Sequence, residues 1–227
     1  MAVNYNTSIV TNGLVAALDA ANTKSYPGSG TAWTDLSGRS ANGTLVNGPT
    51  YSSDKGGSII FDGVNDYCDI TSTSFGSATV LTIDCSIKWV AWTGGMFLGF
   101  TTYDVWTSSG TLGYNNGASN VVGISTATVT SLGLIGNWHH YTFIMNSSGS
   151  LSTNKIYIDG VDQGTLTAVV NADGAIPGLN NNLRLCAWND GVYYGNMQYS
   201  NIKVYNRQLT SDEIKQNFNA VRGRFSL

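Results

Sequence analysis

Charge is what this sequence has least of. Only 11% of its 227 residues are Asp, Glu, Lys or Arg, under half the usual share, and the formal net charge is -3. No run of Lys or Arg exceeds one or two residues, so the footprint of a nucleic-acid backbone is missing and no nucleic-acid partner is expected. Long apolar runs are missing too. Every apolar stretch falls short of the about 20 residues that a membrane-spanning helix needs, so no membrane partner is expected. The first residues, "MAVNYNTSIVTNGLVAALDA", lack the basic start and continuous apolar core of an export signal.

Cysteine and histidine are equally sparse. Cys68, Cys85 and Cys186 are odd in number and far apart, which gives neither a disulfide framework nor a metal-ligand spacing. Three reduced, buried thiols and folding in a reducing cytoplasm are expected. His139 and His140 are the only histidines, and neighbours on a strand point to opposite faces, so they cannot chelate one metal. The expectation is one packed or hydrogen-bonded ring and one near solvent. Glycine clusters are not followed by helices, which removes a phosphate loop.

What is abundant is glycine, small polar residues and aromatics: 27 Gly, 11% aromatic and 42% hydrophobic residues suit short strands joined by many turns. The clearest period lies in "VLTIDCSIKWVAW", Val80 to Trp92, where apolar residues alternate with Thr82, Asp84, Ser86 and Lys88, predicting a long strand with one buried face. Shorter strands are predicted at Ser58 to Phe61, Tyr67 to Ile70, Met96 to Thr101, Val121 to Ile124, Trp138 to Met145, Lys155 to Ile158, Leu183 to Ala187 and Asn201 to Tyr205. Asp159-Gly160 in "NKIYIDGVDQGT" predicts a two-residue hairpin turn, because both central positions need a positive φ. One helix is predicted in "LTSDEIKQNFNAV": Thr210 and Glu213 form a capping box, and Ile214, Phe218 and Val221 share an apolar face.

The stretch "FDGVNDYCDI" sets Asp62, Asn65, Asp66 and Asp69 among strand residues. A turn is the expected reading, with side chains satisfying local backbone amides. Calcium is the competitor: a hard cation wants several oxygens within about 2.5 Å, and Asp62, Asn65 and Asp66 could supply part of that shell. No Asp-x-Asn-x-Asp-Gly loop is present, and no cofactor other than calcium is suggested.

Four segments in order carry a resemblance: "FDGVNDYCDI", the long alternating strand, "GNWHHYTFIMNSSGSLSTNKIYIDGVDQGT" and "NIKVYNRQLTSDEIKQNF". Together they resemble the laminin-G-like branch of the concanavalin A-like lectin/glucanase superfamily. That implies an all-β jelly roll of two antiparallel sheets with one short C-terminal helix. One domain over 1–227 is expected, with a short N-terminal arm at 1–12 and the C-terminal helix and tail at 209–227. Members of the superfamily often hold calcium. Its glucanases use two carboxylates about 5.5 Å apart, typically both Glu on one strand, whereas this chain has one glutamate, Glu213, already placed in a helix cap. No enzyme is expected.

The opening "GLVAALDAANTKSYPGSGTAWTDLSGRSANGTL" and the ending "NFNAVRGRF" are further similar to versions in virion proteins of tailed bacteriophages. The resemblance implies a non-enzymatic structural or adhesion protein of the particle, in a head decoration, neck or tail fibre, made in the host cytoplasm. Its partners would be other virion subunits or further copies of itself, with surface glycans as ligands. A secreted or surface lectin module and a glycoside hydrolase without the usual glutamates are the alternatives.

Sugar sites combine an aromatic face that stacks on the ring with Asn and Asp side chains that bond its hydroxyls. Two stretches offer that mixture. "YDVW" holds Tyr103, Asp104 and Trp106, and "LNNNLRLCAWNDGVYYGN" holds Asn181, Asn182, Trp188, Asn189, Asp190, Tyr193 and Tyr194. The second is the better candidate. Aromatics beside strands also fill cores and subunit contacts, which is the competing reading.

Overall fold

Residues 8–91, 95–118, 120–188 and 192–227 are described by a computed structural model of the chain. Its strands, numbered in chain order, form two antiparallel sheets. The first sheet contains β1 (Leu14–Asp19), β4 (Thr50–Ser52), β5 (Ser58–Asp62), β7 (Val80–Trp89), β12 (Trp138–Asn146), β13 (Lys155–Ile158), β14 (Val161–Asp162) and β17 (Asn196–Tyr205). The second contains β2 (Ala32–Trp33), β3 (Gly43–Val46), β6 (Tyr67–Thr71), β8 (Gly95–Gly99), β9 (Asp104–Thr107), β10 (Leu112–Asn115), β11 (Val121–Ile124), β15 (Thr167–Val170) and β16 (Asn182–Leu185). Among the described residues there are three α-helices, α1 (Thr73–Gly76) and α2 (Thr126–Ser131) between strands and α3 (Ser211–Val221) after the last strand.

The predicted all-β sandwich with a C-terminal helix is what the chain adopts. Its core lies between the sheets, where Ile83, Phe143 and Val204 of the first meet Leu98, Val105, Tyr114 and Leu185 of the second. Fully burying each such side chain stabilises the fold by roughly 1.5–3 kcal/mol, an upper-end figure because the unfolded chain is already partly compact. Phe97 sits edge-on to Trp89, Tyr141 and Phe143 at 5.4–6.3 Å, which ties β8 to β7 and β12 across the interface.

Three expectations are corrected. The strand predicted over Val80 to Trp92 ends at Trp89, with Trp92 outside the described residues, and it is buried on both faces. Thr82, Asp84 and Ser86 are fully buried because α3 and the segment before it cover the outside of the first sheet, where Leu209 and Ile214 pack with Ile144, Tyr157 and Tyr205. Neither histidine lies near solvent: His140 is fully buried under the Phe218 ring, and His139, 9% exposed, is held by Asp159 at 2.7 Å. The strand predicted from Asn201 begins five residues earlier, at Asn196. A bulge between Tyr199 and Asn201 shifts which positions face the core, from Met197 and Tyr199 to Ile202 and Val204, and so hides one period-2 strand as two unrelated pieces.

Local chemistry holds elsewhere. Asp159 and Gly160 have φ of 51° and 78°, and they close β13 onto β14 as the Asp-Gly turn requires. Helix α3 carries the capping box: Thr210 Oγ1 accepts from the Glu213 amide and Glu213 Oε2 from the Thr210 amide.

Candidate functional site

Strand β9 alternates across the second sheet. Tyr103 just before it and Val105 face the core, while Asp104 and Trp106 face outward. Residues three apart on a strand lie on opposite faces, so Tyr103 and Trp106 cannot serve one site. Tyr103 is fully buried beside Tyr114, ring centroids 6.3 Å apart, and its assignment as a sugar platform is corrected to a core residue.

Trp106 has different company. Between β16 and β17, residues 186–188 and 192–195 leave the sheet and lie against β8, held where Trp188 N donates to Val192 O, Gly195 N to Cys186 O and Met96 N to Tyr193 O. This excursion presses on β8 so closely that a Cβ at Gly95 would lie 2.7 Å from Tyr194 O. Glycine is therefore required there. Tyr193 takes a left-handed φ of 57°, uncommon for a bulky residue, and its ring is 53% exposed.

The result is that two separately nominated stretches meet. Trp106 and Tyr193 stand edge-on with ring centroids 4.7 Å apart, and Trp188 is 6.2 Å from Tyr193. With Met96, Ser108 and Asn115 they line a cleft of about 220 Å³. Asn115, whose strand neighbours leave no sequence mark of a site, was missed. It sits directly opposite Asp104 across the β9–β10 pair, and its amide donates to Asp104 Oδ2 at 3.3 Å. Asp104 is fully buried, and burial pushes its carboxyl well above the ordinary carboxylate value, against the smaller opposing effect of the Asn115 bond.

Two polar atoms of the lining have no protein partner. Trp188 Nε1, a donor, and Asn115 Oδ1, an acceptor, are both sequestered without a hydrogen bond. Both atoms are closed off from solvent, so they add to the polar interior behind the cleft and not to the surface a ligand meets.

The chain belongs to the concanavalin A-like lectin/glucanases superfamily. The profile of that superfamily matches residues 61–215, about two thirds of the chain, and the sandwich agrees with it. A search of curated proteins gives no match. Among solved structures, the sialidase of Trypanosoma rangeli in complex with sialic acid superposes with a TM-score of 0.63 at 16% identity, over 93% of this chain and 33% of that one. A mutant of the same sialidase displaying trans-sialidase activity gives 0.64 at 16% identity, over 95% and 34%. The receptor binding domain of botulinum neurotoxin C/D mosaic serotype gives 0.59 at 11% identity, over 92% and 51%. The chain thus spans a third to a half of the length of these superfamily-like structures, and at such identities the likeness is one of fold.

The remaining candidate residues separate. Asn189 and Asp190 lie outside the described residues. Tyr194 is half-buried and is not among the residues that line the cleft; its backbone carbonyl lies against Gly95. Asn181 Oδ1 accepts from the Gly76 amide, and Asn182 bonds Thr71, so both brace α1 and β6. Missed by sequence reasoning was the partner of Asp69. Arg184 grips it bidentately, Nε to Oδ1 at 2.7 Å and the second nitrogen to Oδ2 at 3.0 Å, lies 4.3 Å from the Tyr67 ring centre and donates to Trp188 O at 3.1 Å.

The residues weighed for calcium are engaged as turn chemistry. Asp62 Oδ1 accepts from the Val64 amide at 2.7 Å and the Asn65 amide at 3.4 Å, and Asp66 Oδ2 accepts from the Asp62 amide at 3.3 Å. Asn65 offers its carbonyl to Asn47. Asp66 is 4% exposed, and its carboxyl is raised by burial. Among the described residues no group of three His, Cys, Asp or Glu side chains is placed to hold a metal.

Proposed function

We propose that this chain is a non-enzymatic glycan-binding module that takes a sugar in the cleft between Trp106, Trp188 and Tyr193. The observation that carries the reading is the convergence of these three rings, with the polar side chains of Ser108 and Asn115, around one cleft. A sugar presents an apolar C–H face to stack on an aromatic ring and hydroxyls that both donate and accept. One fold neighbour described above is a sialidase in complex with sialic acid, so the same fold holds a carbohydrate-acting protein.

Support for the absence of catalysis comes from where the carboxylates are. Glu213 is bound bidentately to Arg207 at 2.6 and 2.8 Å, which holds it down at about 2, and Asp62 and Asp66 bond their own turn. Asp159 is bound to His139, and Asp162 to Lys155 at 2.8 Å. Turnover of chromogenic glycosides by the purified chain would overturn this.

The setting we propose is a tailed phage particle, in a head decoration, neck or tail fibre, where the module contacts further copies of itself or other virion subunits. Its support is the resemblance of the opening and closing phrases. Detection of the chain in the proteome of intact particles tests it, and consistent absence rejects it. A glycan array tests the ligand: retention of at least one glycan by the wild type and its loss in Trp188→Ala are expected, and a blank array rejects the sugar reading.

A further inference from the structure

We infer that the cleft selects an uncharged sugar ring, and that Arg184, the cation beside it, is withheld from ligand by Asp69 and serves instead to position the Trp188 wall. The inference rests on the sugar-cleft reading and names its ligand class.

Three observations carry it. The polar side chains of the described lining, Ser108 and Asn115 among them, are neutral and match uncharged hydroxyls. The carboxylate or sulfate of an anionic sugar would have to shed its hydration with no cation among the described lining residues to receive it. No described residue lining the cleft carries a charged side chain. Asp104, behind Asn115, is fully buried and does not line the cleft.

Arg184 is the second observation. Its fork is closed on both carboxylate oxygens of Asp69, its face lies on Tyr67, and its remaining nitrogen reaches the backbone of Trp188. A bidentate pair of this kind fixes both position and orientation. Across the sheet, Asp69 pairs with Arg184 on β16 and Arg184 with Gly99 on β8, so the clamp adjoins the strand that carries Met96 of the cleft. Size is the third. A space of about 220 Å³ lies below the 300–1,000 Å³ of sites for drug-sized ligands, which suits one ring and not a branched acidic oligosaccharide.

The test is a titration of intrinsic tryptophan fluorescence in the full chain with neutral methyl hexopyranosides, with N-acetylneuraminic acid and with a 6-sulfated hexose, at low and high salt. The expected result is quenching by at least one neutral sugar, about tenfold tighter than either acid and unchanged by salt, since no exposed ion pair is formed. Tighter, salt-sensitive binding of the sialic or sulfated sugar would overturn the inference while leaving the cleft a sugar site. Binding of none of them would reject the sugar reading itself. Asp69→Asn releases the guanidinium: neutral binding should weaken about tenfold and the emission of free protein should shift, because the Trp188 wall loses its anchor. Circular dichroism and melting check that this variant is folded. A folded Asp69→Asn chain with unchanged emission and affinity would overturn the positioning role, and the wild-type selectivity remains a test whatever the variant does.

Discussion

Asp84 and Lys203, on the neighbouring central strands β7 and β17, meet at 2.6 Å where the carboxylate touches no water and the ammonium almost none. His140 Nε2 lies 3.1 Å from the same oxygen, and Thr142 donates to the other. Burial alone would raise this carboxyl, yet His140 and Lys203 outweigh it and hold Asp84 well below its ordinary value. Removing one member strands the others in a dry interior. Asp84→Asn is expected to cost about 3–5 kcal/mol, read by urea unfolding, and replacing Asp84 and Lys203 together by apolar residues should cost much less. Equal losses in the single and double variants would refute the coupling.

Glu213 and Arg207 give a pH dependence of known sign. Arg207 and the Thr210 amide hold Glu213 at about 2, below its unfolded value of 4.5. A depressed acid contributes stability that is present above the unfolded value and is lost as pH falls from 4.5 toward 2. The pair is partly exposed, so the amplitude should stay under about 1 kcal/mol. Arg207→Gln should flatten the acid limb of melting temperature against pH in that window; an unaltered limb would contradict the assignment.

Asp104 has the opposite sign. Burial raises it, so its ionisation opposes folding and the chain loses stability as pH rises above the ordinary value of 3.8. Asp104→Asn should raise stability at pH 7, with little effect at pH 3. Destabilisation at pH 7 would show that the charged form is needed.

The turn after β5 should be indifferent to calcium. EDTA is expected to leave the melting temperature unchanged, and Asp62→Ala to cost about 1 kcal/mol through the lost Val64 amide bond. An upward shift with added calcium that disappears in Asp62→Ala would establish an ion site instead.

For the cleft, Trp188→Ala and Tyr193→Ala should each weaken sugar binding about tenfold, since stacking and burial of one ring are lost. Tyr193 is half exposed, so its removal should leave the melting temperature nearly unchanged. Tyr103→Ala should do the reverse, costing about 3–5 kcal/mol of stability from the core. Calorimetric titration beside thermal melts separates the two.

Local pattern was enough to determine the class of this fold. Alternation over Leu81, Ile83, Cys85 and Ile87, the Asp159-Gly160 turn and the Thr210/Glu213 cap each depend on neighbours within a few residues; the turn and the cap are present as read, and the strand forms although both its faces are buried. Even the fate of Tyr103 was legible, because an odd spacing from Trp106 separates them on any strand. The edge strands of two or three residues, β2, β4 and β14, were too short to show a period, although the Asp-Gly turn located the last of them. The bulge at Tyr199 broke the register that pattern reading relies on. What only tertiary structure decided is which distant residues share a space. Trp106 meets Tyr193, Asp69 meets Arg184 and Asp84 meets Lys203 across 87, 115 and 119 residues of chain. Such meetings are set by strand order and by the path of a loop over β8, and no local spacing encodes them.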